Sequence, residues 1–187
     1  EIGVRLVGSE MCIRDRIYFM KISSGLTKAI NDQIAMEANA SNNYLAMACW
    51  CQINGYEESG NFFFTQSAEE RTHMMKFVTF LSGQGVKPVI PSTKQPSQSF
   101  KSLESICKTA LKNEQAVTKS IQKIAELALK QKDFATRNFI QWFVDEQIEE
   151  EQKFETILQK FDLLGRDKLA IYEINKLLGS SASSTEE

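Results

Sequence analysis

The chain has 187 residues, 22 Lys plus Arg against 24 Asp plus Glu, and a formal net charge of −2. Hydrophobic residues at 42% and charged residues at 25% exclude a wholly disordered chain, and the length suits one domain with a sizeable core. The near-neutral balance gives no general attraction to nucleic acid or to an anionic membrane, and only 9 Gly and 3 Pro leave few breaks for a turn-rich β fold, so long helices are expected.

Residues 1–19, EIGVRLVGSEMCIRDRIYF, show neither a sustained helical period nor a turn signature. They are expected to be a non-native or disordered extension, the alternative being a genuine extension that folds on a partner. They also lack the basic region, apolar run and small-residue cleavage site of a secretory signal. Met20 opens a new register and a domain expected to span 20–179. Ser23 or Ser24 can cap a first helix over roughly 24–53, which stops at Gly55. A second runs over roughly 57–82 to Gly83 and Gly85. Next comes VKPVIPSTKQPSQS, a connection holding all three prolines. A third helix covers roughly 102–130, and a very short turn at Asp133 starts a fourth over roughly 134–162, closed by Gly165. Asp167 can cap a short fifth helix, LAIYEINKLL, ended by Gly179, and 180–187 read as a flexible polar tail.

Two short turns make antiparallel neighbours, and a Pro-rich connection of this length can return the chain to the other end of a helix. The expected fold is therefore all-α: a four-helix bundle with a long crossover between helices 2 and 3 and a short fifth helix. No stretch approaches the ~18–20 apolar residues needed to span a bilayer. Of the cysteines, Cys12, Cys49, Cys51 and Cys107, none forms a CxxC pair, and they read as buried free thiols in a reducing compartment, which points to the cytoplasm.

The core-facing seams follow alternating steps of three and four. They read Leu26, Ile30, Ile34, Glu37, Ser41, Tyr44, Ala48, Cys51; then Phe63, Gln66, Glu70, His73, Phe77, Phe80. The third and fourth read Leu103, Cys107, Ala110, Glu114, Val117, Ile121, Ile124, Ala128, and Ile140, Phe143, Gln147, Glu150, Phe154, Ile157, Phe161. Each is apolar near its ends and carries an ionisable residue near its middle, and nothing basic sits in them except His73. A buried carboxylate costs several kcal/mol and four in one layer repel each other; protonating them would help, but metal cations fill the need more directly. Four carboxylates, one imidazole and one amide make an oxygen-rich site that suits two iron ions, with zinc and manganese as alternatives. Glu70 and His73 are three apart and share a helix face, as do Gln147 and Glu150.

An internal repeat has an offset of 77 residues, relating Glu37 to Glu114, Glu70 to Gln147, His73 to Glu150 and Glu69 to Glu146. Two helical hairpins with this offset would face each other across a pseudo-twofold site. Several residues keep two readings. Tyr44 is a redox-active or hydrogen-bonding neighbour of the metals, or a core tyrosine with a satisfied hydroxyl; Trp142 divides likewise, with packing favoured. Glu69, Glu146 and Glu149 are a secondary acidic site or a solvated face.

The stretches QIAMEANASNNYLAM, SAEERTHMMKF, KNEQAVTKSI and NFIQWFVDEQIEEEQKFE resemble the bacterial non-haem ferritins, from Met20 to about Gly179. The resemblance implies iron storage and detoxification by a ferroxidase centre in a hollow homo-oligomeric cage of 24 subunits, acting on Fe(II) with dioxygen or hydrogen peroxide. It would assign a first iron to Glu37, Glu70 and His73, a second to Glu70, Glu114 and Glu150 with Gln147 close by, and Tyr44 to a place beside the centre. It matches Glu69, Glu146, Glu149 and Glu150 to a third iron site, and sets the fifth helix along a fourfold axis. Haem is not expected, since Arg71 follows Glu70 where haem-binding relatives have Met, and the fourth helix offers Gln147 and Glu150 rather than a second ExxH. Two rival readings are a di-iron oxidase or peroxide scavenger that stores little mineral, and a bundle whose polar layer only fixes register in an interaction protein.

Overall fold

Side-chain caps start α-helices at Ser23, Ser102, Asp133 and Asp167 in the computed structural model, which describes residues 22–182 and holds five helices among them. The expectation for residues 1–19 lies outside that span. Helix α1 (Ser24–Ile53) begins where Ser23, not Ser24, accepts the N–H of Leu26 on its Oγ at 3.1 Å. Helix α2 (Glu57–Gly83) follows a turn whose Gly55 sits at φ +81°, a left-handed conformation that a side chain would strain. Helix α3 (Leu103–Gln131) opens on a reciprocal capping box between Ser102 and Ser105. The Asp133 carboxylate accepts the N–H of Thr136 at 2.9 Å and starts α4 (Phe134–Leu164). Asp167 does the same for α5 (Lys168–Ala182), accepting from Leu169 and Ala170.

Gly179 does not end α5, as its residue type suggested; the helix runs on to Ala182, so the first three residues of the expected tail are helical. A Cβ at 179 would lie 2.5 Å from Glu58 Oε2 and 2.8 Å from Glu58 Cβ. The glycine serves close approach of α5 to the start of α2. The rest of the tail lies outside the described residues.

The crossover runs beside α1. The Val89 N–H donates to Asn31 Oδ1 at 2.7 Å and the Lys94 N–H to Asn39 Oδ1 at 2.8 Å, so the loop advances along α1 in the direction of that helix. It carries the chain back to the end of the bundle where α3 starts. The hairpins α1–α2 and α3–α4 then face each other, as the repeat implied.

Two apolar clusters fill the bundle. One joins Tyr44, Met47, Phe62, Phe63, Ile106, Phe154 and Phe161 with Ile174 and Leu178 of α5. The other joins Leu26, Ile30, Ile34, Phe77, Leu81, Ile121, Ile124, Ile140 and Phe143. The seams of α3 and α4 are buried at every expected position, whereas two positions drift elsewhere. Ser41 is half-buried and donates to the Ser67 carbonyl at 2.7 Å; Phe80 is half-buried against Phe139, and Leu81 is buried in its place. A helix of 3.6 residues per turn slips against a 3.5-residue seam, and by the end of α2 the slip has turned Phe80 off the core.

Cys51 and Cys107 are buried and unpaired, and burial pushes the Cys51 thiol up to about 12. Cys49 is exposed, correcting the expectation of buried thiols throughout; one position before or after a seam residue faces away from the core. Among the described residues no helix is long and apolar enough to cross a membrane.

Asn175 docks α5: its Oδ1 accepts both the backbone N–H and the hydroxyl of buried Ser59, at 2.9 and 2.7 Å. Asn175→Ala would leave those donors unpaired at a cost of about 1–3 kcal/mol. Hydrogen exchange should accelerate across α5 while protection of the four long helices is retained.

Candidate metal centre

Each long helix brings its polar seam residues to one level of the bundle. Glu37 on α1, Glu70 and His73 on α2, Glu114 on α3, and Gln147 and Glu150 on α4 are all buried. On every helix they fall at the border between the two apolar clusters, so the core is two greasy halves separated by an acidic layer. Glu37, Glu70 and His73 each present a ligand atom, all within 4.8 Å of one another, a group that could hold a metal ion. His73 Nδ1 lies 3.7 Å from Glu70 Oε2, and its Nε2 lies 3.9 Å from Glu146 Oε1.

The two hairpins differ in what they supply around the layer. Gln33 Nε2 donates to Glu37 Oε1 at 2.8 Å. The Tyr44 hydroxyl, stacked between Phe63 and Phe154, donates to Glu114 Oε1. Gln147 Nε2 donates to Glu114 Oε2 at 3.2 Å and to the Glu114 carbonyl at 3.3 Å. At the repeat offset Tyr44 falls on Ile121 and Gln33 on Ala110, neither of which can hydrogen-bond, so the pseudo-twofold covers the acidic residues and not their supports. Glu37 Oε2 and Glu150 Oε2 are buried without a hydrogen-bond partner among the described residues. Leaving a buried carboxylate oxygen unpaired is costly, so both oxygens favour a cation or a proton beside them.

Proton affinities agree. Burial, then repulsion from Glu70, holds the Glu37 carboxyl well above its ordinary range. Burial, then Glu114, does the same to Glu70. Burial raises Glu114 against the hydrogen bonds of Tyr44 and Gln147, and raises Glu150 to about 7 against the attraction of Lys153. Burial and the Glu114 charge raise Tyr44, which keeps its hydroxyl a donor.

The secondary acidic residues are arranged unequally. Glu69 and Glu146 are half-buried beside the layer, while Glu149 is exposed. Glu69 Oε2 accepts from Gln66 Nε2. Lys153 stands among them, donating to Glu150 Oε1 at 2.8 Å and lying 3.7 Å from Glu69 Oε2. The seams themselves hold nothing basic but His73; Lys153 is off the α4 seam, yet its long stem carries the ammonium to a residue one turn away. Gln33 was missed as well, although it lies four residues before Glu37 on the same face. The Trp142 ring meets His73 and Phe143 edge-on, and the Lys76 ammonium lies over it, 2.9 Å from the ring centre.

Fold and site together define a four-helix-bundle protein with a buried carboxylate–histidine group at mid-height that could hold a metal ion. The chain belongs to the ferritin family: the family model described as a ferritin-like domain matches residues 27–164. It is 36% identical over 159 residues to a probable bacterial non-heme ferritin-like protein of Haemophilus influenzae, covering 85% of this chain and 96% of that one. It is 36% identical over 166 residues to a bacterial non-heme ferritin of Campylobacter jejuni, covering 89% and 99%. Among solved structures, the open-pore ferritin of the hyperthermophilic archaeon Archaeoglobus fulgidus superposes with a TM-score of 0.82 at 34% identity, covering 85% of this chain and 97% of that chain.

Proposed function

We propose that this protein is a ferroxidase that stores and detoxifies iron. The observation that carries the reading is the acidic layer itself, four buried carboxylates at one level with unpartnered oxygens on Glu37 and Glu150. Glu37, Glu70 and His73 hold one Fe(II), and Glu70, Glu114 and Glu150 hold a second, with Glu70 shared and Gln147 fixing the orientation of Glu114. Two Fe(II) side by side give up one electron each to dioxygen, yielding two Fe(III) and one hydrogen peroxide with uptake of two protons. Hydrogen peroxide in place of dioxygen takes the same two electrons and yields water. Hydrolysis of Fe(III) to the oxo-hydroxide then releases protons and drives the product out of the site. The protein supplies geometry, negative charge and a dry shell, and the Tyr44 hydroxyl steadies Glu114.

The storage reading also requires a cage, and we propose a 24-subunit homo-oligomer in the cytoplasm. Support for assembly comes from α5, which leaves Leu169, Tyr172 and Leu177 exposed on a helix whose other face is already buried against the bundle. The decisive experiment is a crystal soaked aerobically in Fe(II), with anomalous scattering at the iron edge. Two peaks are expected per subunit, one among Glu37, Glu70 and His73 and one among Glu70, Glu114 and Glu150. No iron at that level would end the proposal. Iron loading of the assembled particle separates storage from an oxidase that retains little mineral: a load far above the two irons per subunit that the centres alone would hold is expected.

A further inference from the structure

We propose that the Lys153 ammonium is a resident cation of the Glu69, Glu146 and Glu150 group, and that it limits each subunit to two tightly held metal ions. The inference rests on the metal-centre reading above and concerns the carboxylates around Lys153. Several carboxylates brought together need compensation, from protons, a metal or a basic side chain. Among the described residues Glu37 pairs with no lysine or arginine, and its Oε2 is left orphaned. At Glu150 a positive charge is already supplied. Lys153 is 26% exposed, donates to Glu150 Oε1 at 2.8 Å, lies 3.7 Å from Glu69 Oε2 and is within electrostatic reach of Glu146.

The two oxygens of Glu150 divide accordingly. Oε1 is engaged by the lysine, and Oε2 is buried and free. Glu150 can therefore offer Oε2 to a metal in the layer while Oε1 stays with Lys153. A third metal bound among Glu69, Glu146 and Glu150 would have to displace the ammonium, at the cost of its ion pairs, or lie beside it, setting two positive charges against each other. Glu149, which completes the acidic group in the sequence, is exposed and makes no ion pair with Lys153. Lys153 thus sets metal stoichiometry through charge while touching only one residue assigned to the central pair.

The test uses the assembled full-length protein and Zn(II), which binds such ligands without redox chemistry or mineral formation. Zn(II) titration should saturate at two ions per subunit in the unmodified protein and at three in Lys153→Met. In crystals soaked in Zn(II), Lys153→Met should add an anomalous peak between Glu69 and Glu146, and Lys153→Arg should restore the two-peak pattern. Should Lys153→Met fail to fold, Lys153→Gln serves, since it removes the charge and keeps a polar head. A full third peak beside Glu69 in the unmodified protein would overturn the inference alone, as would a charge-removing variant that still binds two ions. Absence of both central peaks would overturn the metal-centre reading and this inference with it.

Discussion

Glu70→Gln should abolish rapid Fe(II) oxidation, lowering the rate by at least about 100-fold, because loss of an outer partner of a metal ligand already costs 10–100-fold and Glu70 is the ligand both metals would share. The change is nearly isosteric, so the apolar clusters on either side keep their packing. It also removes one of the carboxylates that repel each other in the layer, where burial and Glu114 already raise the Glu70 pKa. The metal-free variant is therefore expected to be at least as thermostable as the unmodified protein at pH 8. Stopped-flow oxidation and thermal melts of the metal-free protein check the two halves. Inactivity alone is compatible with misfolding, whereas inactivity with unchanged or higher Tm is the signature of a sacrificed binding site. Fast oxidation in a folded variant would remove Glu70 from the site.

Lowering the pH from 7 to 5 should weaken metal binding by about 100-fold or more, because a metal must displace protons that the buried carboxyls hold. Burial raises Glu150 to about 7 and holds Glu37, Glu70 and Glu114 above their ordinary range, so protons compete with a metal for these oxygens. Zn(II) titration calorimetry in buffers of different ionisation enthalpy should show protons released on binding at pH 7. The stability of the metal-free protein should move in the opposite sense. A carboxyl whose folded pKa is raised is protonated more readily in the folded chain, so its stabilising share is present below the unfolded value and is lost as pH rises through the folded one. For Glu150 the window runs from the ordinary 4.5 to about 7 and amounts to at most about 3 kcal/mol. Melts of metal-free protein at pH 5, 6, 7 and 8 should show Tm falling across that window, and saturating Zn(II) should reverse the slope. A metal-free Tm that climbs from pH 5 to pH 8 would mean the layer is ionised and otherwise compensated.

The helices and their polar layer are visible in the sequence because both are written in local spacing. Glu37, Glu114 and Glu150 interrupt seams that are otherwise apolar, and a fixed 77-residue offset aligns them without any knowledge of the third dimension. The helix starts follow from the same kind of information, since Ser102, Asp133 and Asp167 act on N–H groups two or three residues away. Gly179 shows where this logic stops. A glycine near the end of a short helix reads as a terminator, but its function depends on Glu58, more than a hundred residues away. Lys153 was hidden for a related reason: it lies off the seam, and only its stem length and the position of Glu69 on another helix bring its charge to the layer.

By itself the sequence determined the helical class, the crossover, the depth of the acidic residues and the pairing of Glu70 with His73, because helical periodicity converts spacing directly into face and height. The tertiary structure decided how charge is shared at that height. It set Tyr44 on Glu114, left one oxygen each of Glu37 and Glu150 without a partner, and gave the other Glu150 oxygen to Lys153. Those outcomes depend on which side chains of different helices meet within a few ångströms, and Coulomb energy inside a protein changes steeply over that distance while sequence spacing along one helix does not register it.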